Sequence, residues 1–123
     1  MPLKAFLVED VPTVASALTE VLMTLAQTEV VGVSTGAMEA SAWLLQNSHR
    51  WDLAIIDLSL ASGSGLSVLA ACRVRQAHQR AVVVSNLSNS TMRMRCKAFG
   101  ADAFFDKSTQ LDEFVHYCAK LTD

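Results

Sequence analysis

Three acidic residues stand at or near the ends of strongly apolar runs. Glu9 and Asp10 follow the apolar residues 3–8, and Asp57 lies near the end of the run 53–58. If the three side chains converge, two carboxylates about 5 Å apart at an effective dielectric constant of about 20 repel each other by roughly 3 kcal/mol, so the group needs a cation. Mg²⁺ suits such a group because it prefers hard oxygen ligands and commonly keeps some of its own waters. These residues therefore predict a divalent metal site.

A hydroxyl and an ammonium group occupy comparable places in the chain. Ser85 directly follows one apolar run, and Lys107 lies just past another. Taken singly, Ser85 is equally well explained as a strand-end hydroxyl bonded to backbone, and Lys107 as a solvated loop lysine. Asp10 is also expected to cap a helix, which explains one carboxylate but not two. Asp57 has no such plain explanation, because an acid in an apolar strand is costly unless it has a role. A shared site is favoured only if the fold brings these residues together.

Short apolar runs rich in branched residues alternate with longer stretches whose apolar residues recur at helical spacing. Most of the runs are continuously apolar, as strands covered on both faces must be. They predict five strands, at residues 3–8, 30–33, 53–58, 81–84 and 103–105.

Five helices are predicted between and after these strands. The first has Asp10 as its cap, Pro12 in its first turn and an apolar face that extends to Leu25. The second spans residues 37–46, and the third spans about 65–76.

The last two helices are predicted from their terminal residues as well as their spacing. The fourth carries Met92, Cys96 and Phe99 and ends at Gly100, which can adopt a left-handed conformation. The fifth begins near Thr109, where Thr109 and Asp112 resemble a capping box.

This alternation predicts one α/β domain over residues 1–123, with a doubly wound, five-stranded parallel sheet and helices on both faces. In such sheets the functional crevice lies beyond the carboxyl ends of the strands, where the strand order reverses. The polar residues that follow the apolar runs are therefore expected to cluster at that edge.

The composition narrows the classes of function. The formal net charge is −2 and the basic residues are scattered, which argues against a nucleic-acid-binding stripe or a membrane-binding patch. Cys72, Cys96 and Cys118 are widely spaced in apolar surroundings, which indicates reduced thiols and a cytoplasmic protein. The apolar start is too short for a signal peptide, and no run approaches the length that spans a membrane.

Four segments resemble the receiver domains of bacterial two-component response regulators. They read Leu-Val-Glu-Asp at 7–10, Ile-Ile-Asp-Leu at 55–58, Val-Val-Ser-Asn at 83–86 and Gly-Ala-Asp-Ala-Phe-Phe-Asp-Lys at 100–107. They occur in the family's order and at family-like intervals, and the resemblance extends from Leu3 to the final helix. It implies a flavodoxin-like receiver fold, similar to that of the chemotaxis regulator, with strand order 2-1-3-4-5.

The resemblance implies the chemistry of the site. Asp57 would be the phosphoacceptor, which attacks phosphorus as an ionised nucleophile. Asp10, Asp57 and the backbone carbonyl of Ser59 would be direct Mg²⁺ ligands, with Glu9 acting through water. Lys107 would neutralise charge on the transferring group. The chain would then be a signalling phosphoacceptor and not an enzyme, although it would assist its own phosphorylation and autodephosphorylation.

The resemblance also implies a switch and its partners. Ser85 would hydrogen-bond a phosphoryl oxygen, and Phe104 would reorient as the fourth strand and fourth helix shift. The phosphodonor would be a sensor histidine kinase or a histidine phosphotransfer protein. A downstream protein would bind the face made of the fourth helix, fifth strand and fifth helix, and the domain would be a monomer or a phosphorylation-dependent dimer. Arg93, Arg95 and Lys97 on the fourth helix favour an acidic partner or, equally well, a solvated helix face.

Three residues depart from the family pattern. Ser108 replaces the proline that usually follows the lysine, so no cis peptide bond is expected there and the Lys107 loop is expected to be less constrained. Asn86 stands where alanine or glycine is common and is expected to narrow access to Asp57. Ala61 replaces a proline often found after the acceptor.

Other functions stay open. The departures at Ser108 and Asn86 suggest a receiver-like interaction domain that signals without phosphorylation. The chain is also consistent with the amino-terminal receiver of a larger regulator that carries an output domain. An aspartyl-phosphate hydrolase of another fold ranks last, because such enzymes need a second acid where Ser59 stands.

Overall fold

The computed structural model describes residues 2–122, in which strands and helices alternate from end to end. The strands are β1 (Leu3–Val8), β2 (Thr28–Ser34), β3 (Leu53–Ile56), β4 (Arg80–Ser85) and β5 (Ala103–Asp106). The helices are α1 (Pro12–Ala26), α2 (Ala37–Gln46), α3 (Gly65–Ala71), α4 (Ser90–Ala98) and α5 (Leu111–Leu121). Each predicted element is present, with ends that differ by a few residues. No helix in the described part of the chain has the length and apolar character to cross a membrane.

All strands run parallel, in the order β2-β1-β3-β4-β5. The doubly wound α/β fold and the strand order implied by the resemblance are therefore confirmed. The chain moves outward from β1 to β2, then crosses back to β3 and continues to β5. The order reverses between β1 and β3, so the carboxyl ends of these two strands border the crevice where such sheets bind ligands.

Side chains alternate across the sheet with the two-residue period of a strand and fill two apolar layers. On β1, Ala5 and Leu7 face the layer formed with α1 and α5, whereas Phe6 and Val8 face the layer formed with α2, α3 and α4. Burial on both faces explains why the strands read as continuous apolar runs. Cys72, Cys96 and Cys118 lie in these layers as free thiols.

The predicted caps of α1 and α5 are wrong. Residue Val11 is the N-cap of α1, and no side chain caps it among the described residues, so Asp10 is free to point toward the sheet edge. The N-cap of α5 is Gln110, and Thr109 lies in the preceding turn, where its backbone N–H donates to Asp106. Leu25 is also exposed, because α1 turns a narrower face toward the sheet than predicted.

Helix α3 ends at Ala71, five residues before its predicted end. Continuation would require the carbonyl of Cys72 to accept from the backbone N–H of Gln76. That N–H donates instead to the side chain of Gln79, and the Cys72 carbonyl accepts from the guanidinium of Arg75. Val74 is consequently 96% exposed and not part of an apolar face.

Gly65, the first residue of α3, is required by close backbone packing. A Cβ atom at this position would lie 2.2 Å from the carbonyl oxygen of Asp57 and 2.7 Å from the Cα of Leu58. Backbone atoms cannot move aside as a flexible side chain can. Gly65 therefore allows α3 to begin directly against the segment that carries Asp57.

The Gly65→Ala substitution is expected to lower the free energy of unfolding by about 1–3 kcal/mol, because the added methyl group overlaps backbone. Urea denaturation measures this loss. Gly36→Ala is the matched control, since its Cβ would meet Ser62 no closer than 3.5 Å. Equal effects of the two substitutions would contradict the assigned role of Gly65.

Candidate functional site

Glu9, Asp10 and Asp57 form an acidic group at the carboxyl edge of the sheet. β1 and β3 pair with Val8 opposite Ile56, so the residues that follow the two strands emerge together. The backbone N–H of Asp57 donates to the Val8 carbonyl at 3.1 Å, which extends this pairing by one residue. Each of the three residues places one carboxylate oxygen within 4.8 Å of the others. Glu9 and Asp57 are buried, and Asp10 is half-buried.

The ammonium group of Lys107 lies between two of these carboxylates. Its Nζ donates to Oε1 of Glu9 at 2.5 Å and to Oδ2 of Asp57 at 2.7 Å. Lys107 directly follows β5, and its backbone N–H donates to the Ser85 carbonyl at the end of β4, at 3.2 Å. Sheet pairing thus brings Lys107 to the carboxyl edge of the sheet. Its long side chain extends past β4 to Asp57, which follows β3.

The ion pairs leave the acidic group short of positive charge. Burial lowers the pKa of Lys107, but its hydrogen bonds and Coulombic attraction to Asp57 and Glu9 outweigh that effect and raise the pKa above its usual value. Lys107 is therefore protonated at neutral pH, and one ammonium faces three carboxylates. Clustered carboxylate oxygens with excess negative charge are a donor set that fits Mg²⁺.

Backbone groups hold the two buried carboxylates in place. Oε2 of Glu9 accepts from the backbone N–H of Val11 at 3.1 Å. Oδ1 of Asp57 accepts from the backbone N–H of Ser59 at 3.1 Å, while Oδ2 accepts from Lys107. Ser59 is thus fixed beside Asp57, whereas the use of its carbonyl as a metal ligand stays a prediction.

Ser85 is buried at the end of β4, next to the acidic edge. Its Oγ accepts from the backbone N–H of Leu87 at 3.2 Å, and among the described residues it has no acceptor for its own proton. The hydroxyl therefore retains a donor. Two of the three departures from the family pattern contact each other, because the hydroxyl of Ser108 donates to Oδ1 of Asn86 at 2.7 Å. In the described chain no peptide bond is cis, as expected from Ser108.

Phe104 is half-buried and faces α4, whereas Phe105 is buried against α5. The guanidinium carbon of Arg93 lies 4.7 Å from the centre of the Phe104 ring. The prediction that Arg93 lies on a free basic face, with Arg95 and Lys97, is therefore wrong for Arg93. Its aliphatic stem and planar head bridge α4 and β5, a contact that helical spacing by itself does not reveal.

Sequence reasoning also missed the part played by Asp106, the residue before Lys107. Its Oδ1 accepts from the backbone N–H groups of Ser108 and Thr109 at 2.8 and 3.0 Å, and its Oδ2 accepts from the hydroxyl of Ser88. The Ser88 hydroxyl is the largest cause of the lowered pKa of Asp106, and the backbone N–H groups add to it. This carboxylate fixes the turn that carries Lys107. An aspartate two residues before a Ser-Thr pair is a turn signal that could have indicated this role.

The chain was compared with protein-family models and with curated proteins. The chain matches the model of the response regulator receiver domain over residues 5–119. A comparison with curated proteins found no significant match.

Three solved structures illustrate the similarity. The phosphorylated cyanobacterial phytochrome response regulator RcpA is 27% identical, with a TM-score of 0.78 over 98% of this chain and 91% of that one. The response regulator domain of Thermotoga maritima CheB is 18% identical, with a TM-score of 0.81 over 99% and 95%. A chain of the CheX–CheY–BeF3–Mg²⁺ complex from Borrelia burgdorferi is 16% identical, with a TM-score of 0.81 over 95% and 90%. The last two show the likeness of fold alone.

The Asp10→Asn substitution is expected to raise the free energy of unfolding by about 1 kcal/mol in metal-free buffer, because it relieves the repulsion between the half-buried Asp10 and the two buried carboxylates. Urea denaturation with a chelator present measures the gain, and high salt should reduce it. Glu20→Gln, an exposed change of the same charge on α1, is the control and should have little effect. Equal stabilisation by both substitutions would show that net charge, and not the acidic group, is responsible.

The Lys107→Met substitution is expected to lower the free energy of unfolding at neutral pH. In alkaline solution the difference from the wild-type protein should disappear. Because the pKa of Lys107 is higher in the folded protein, its contribution is complete below the usual value of 10.5 and disappears as the pH rises through the folded pKa. Urea midpoints of both proteins across this range measure the difference. Burial also raises the pKa of Tyr117, but that residue is common to both proteins. A constant difference at all pH values would contradict the ion-pair explanation.

Proposed function

Because the chain belongs to the response regulator receiver domain family, we propose that it is a phosphorylation-dependent signalling module that accepts a phosphoryl group on Asp57. Members of this family are signalling phosphoacceptors that are phosphorylated on an aspartate with Mg²⁺. The observation that carries the proposal is the contact of Lys107 with Asp57 inside the acidic group. Ser108 does not prevent this contact, so the chain retains the charged groups that phosphoryl transfer needs.

The metal would be held by Asp10, Asp57 and the backbone carbonyl of Ser59, with Glu9 acting through water. When bound, Mg²⁺ supplies positive charge that offsets the carboxylates and the charge of the transferring phosphoryl group. The similar response regulator RcpA is phosphorylated, which supports a phosphoacceptor in this chain.

The chain's own residues have separate roles in the transfer. The ionised Asp57 attacks phosphorus, and the bond from phosphorus to the donor histidine nitrogen breaks as the new oxygen bond forms. Lys107 keeps a third N–H donor beyond those used by Glu9 and Asp57, which is available to a phosphoryl oxygen. The free proton of the Ser85 hydroxyl offers a second donor on the β4 side. Catalysis here is positioning and charge stabilisation.

Receiver domains interact with histidine kinases and with downstream effectors. The proposed donor for this chain is a sensor histidine kinase or a histidine phosphotransfer protein in the cytoplasm. The proposed output is a change at the face made of α4, β5 and α5, where Phe104 contacts α4. A downstream protein or a second copy of the phosphorylated chain would bind that face.

A small phosphodonor such as acetyl phosphate is expected to phosphorylate the wild-type protein in the presence of Mg²⁺ and not after chelation. Intact-mass spectrometry measures the addition of one phosphoryl group. Asp57→Asn should abolish the addition, and Lys107→Ala and Ser85→Ala should slow it by at least about tenfold, a typical cost of losing a charge-stabilising donor. Asp112→Asn, an exposed acid on α5, is the matched control.

The same experiment distinguishes the proposed function from its main alternative, an interaction domain that does not depend on phosphorylation. A protein that binds Mg²⁺ but takes up no phosphoryl group from any donor would favour an interaction domain that signals without phosphorylation. Labelling that persists in Asp57→Asn would show that another residue is the acceptor.

A further inference from the structure

A set of side-chain bonds joins the loop after β4 to the loop after β5. We call it the polar clasp, and its members are Ser88, Arg93, Asp106 and Gln110. The clasp lies between the residues assigned to the switch, because Ser85 precedes its β4 side, while Phe104 and Lys107 flank its β5 side. The proposed phosphoryl transfer does not itself require any of the four members.

Arg93 is the most highly connected member. Its Nε donates to the Ser88 carbonyl at 3.0 Å, its Nη1 to the Phe104 carbonyl at 3.3 Å and its Nη2 to Oε1 of Gln110 at 2.6 Å. It also covers one face of the Phe104 ring. A planar guanidinium can make all of these contacts at once, which a lysine ammonium cannot.

Asp106 completes the clasp from the β5 side. Its carboxylate accepts from the Ser88 hydroxyl, and its backbone N–H donates to Oε1 of Gln110 at 2.9 Å. Gln110 thus receives hydrogen bonds from both Arg93 and Asp106. Charged groups take part in most of these bonds, which makes them stronger than bonds between neutral groups.

The clasp opposes the movement that a phosphoryl group would cause. Under the proposed function the free proton of the Ser85 hydroxyl donates to a phosphoryl oxygen on Asp57, and a shift of Ser85 toward that oxygen strains the bond that its Oγ accepts from the backbone N–H of Leu87. Displacement of the chain after Ser85 carries Ser88 with it and breaks its bonds to Arg93 and Asp106. Displacement of Phe104 breaks the contacts of Arg93 with the carbonyl and the ring of that residue.

We propose that Arg93 and Asp106 are positioning residues that hold the Ser85 and Phe104 segments in their unphosphorylated arrangement, so that the clasp limits how readily Asp57 retains a phosphoryl group. This inference rests on the proposed function. A contact made in only one of two states shifts the equilibrium toward that state, and its removal favours the other. Loss of the clasp is therefore expected to strengthen phosphoryl-analogue binding, whereas a merely structural role would weaken it or leave it unchanged.

The test is a titration of the full chain with beryllofluoride at saturating Mg²⁺, followed by the NMR amide signals of Ser85 and Lys107. Arg93→Ala is expected to lower the apparent dissociation constant about tenfold, the factor that corresponds to loss of one charge-assisted hydrogen bond. Arg95→Ala is the matched control, because Arg95 lies on the same helix and is exposed, and it should leave the constant unchanged. Arg93→Lys keeps the charge but not the planar guanidinium, and it should produce most of the decrease in the apparent dissociation constant.

Gln110→Ala removes the shared acceptor of the clasp and provides a second variant if Arg93→Ala does not fold. It is expected to tighten binding as well, by a smaller factor. Unchanged or weaker binding in whichever of the two variants folds would overturn the clasp inference, while wild-type binding would leave the proposed function intact. Absence of binding in the wild-type protein would instead overturn the proposed function.

Discussion

The excess of negative charge at the carboxyl edge of the sheet is the constraint on which the site depends. Three carboxylates lie within 4.8 Å of one another, and the ammonium of Lys107 contacts two of them. Such an arrangement is unfavourable unless further positive charge arrives. The same imbalance is the basis of the proposed binding of a divalent cation and, with it, of an anionic phosphoryl group. Repulsion stored in the resting state is thus the source of the proposed affinity.

Backbone hydrogen bonds and close backbone packing hold the carboxylates at this edge. Glu9 and Asp57 follow neighbouring strands, β1 and β3, so sheet hydrogen bonds fix their separation. Gly65 lets α3 pack directly against the Asp57 backbone, and backbone N–H groups of Val11 and Ser59 hold the buried carboxylates. The residues of the proposed switch, Ser85 and Phe104, belong to β4 and β5, on the other side of β3 from β1. There the contacts are polar side-chain bonds between loops, which are easier to exchange than sheet pairing.

Much of the fold and of the site could be predicted from local patterns. Continuous apolar runs and helical spacing predicted the alternation of strands and helices, because burial on both faces of a parallel sheet imposes those patterns directly. The abrupt change from apolar to polar at Glu9, Asp57 and Ser85 predicted which residues the fold brings to the carboxyl edge of the sheet. The resemblance to receiver domains added the strand order, which alternation alone does not determine.

The errors lie where tertiary contacts override local signals. Asp10 and Thr109 have good capping side chains, yet neither caps a helix. Arg75 donates to the carbonyl of Cys72, which a longer α3 would use for its own backbone. Arg93 looked like a surface charge because its partners, Phe104 and Gln110, are distant in sequence. The sequence by itself determined the elements and the chemistry available at their ends, since both follow from residue types and short-range spacing. Only the tertiary structure decided which donors bind each carboxylate and carbonyl oxygen. These pairings depend on competition among groups that are distant in sequence and that the folded sheet brings together.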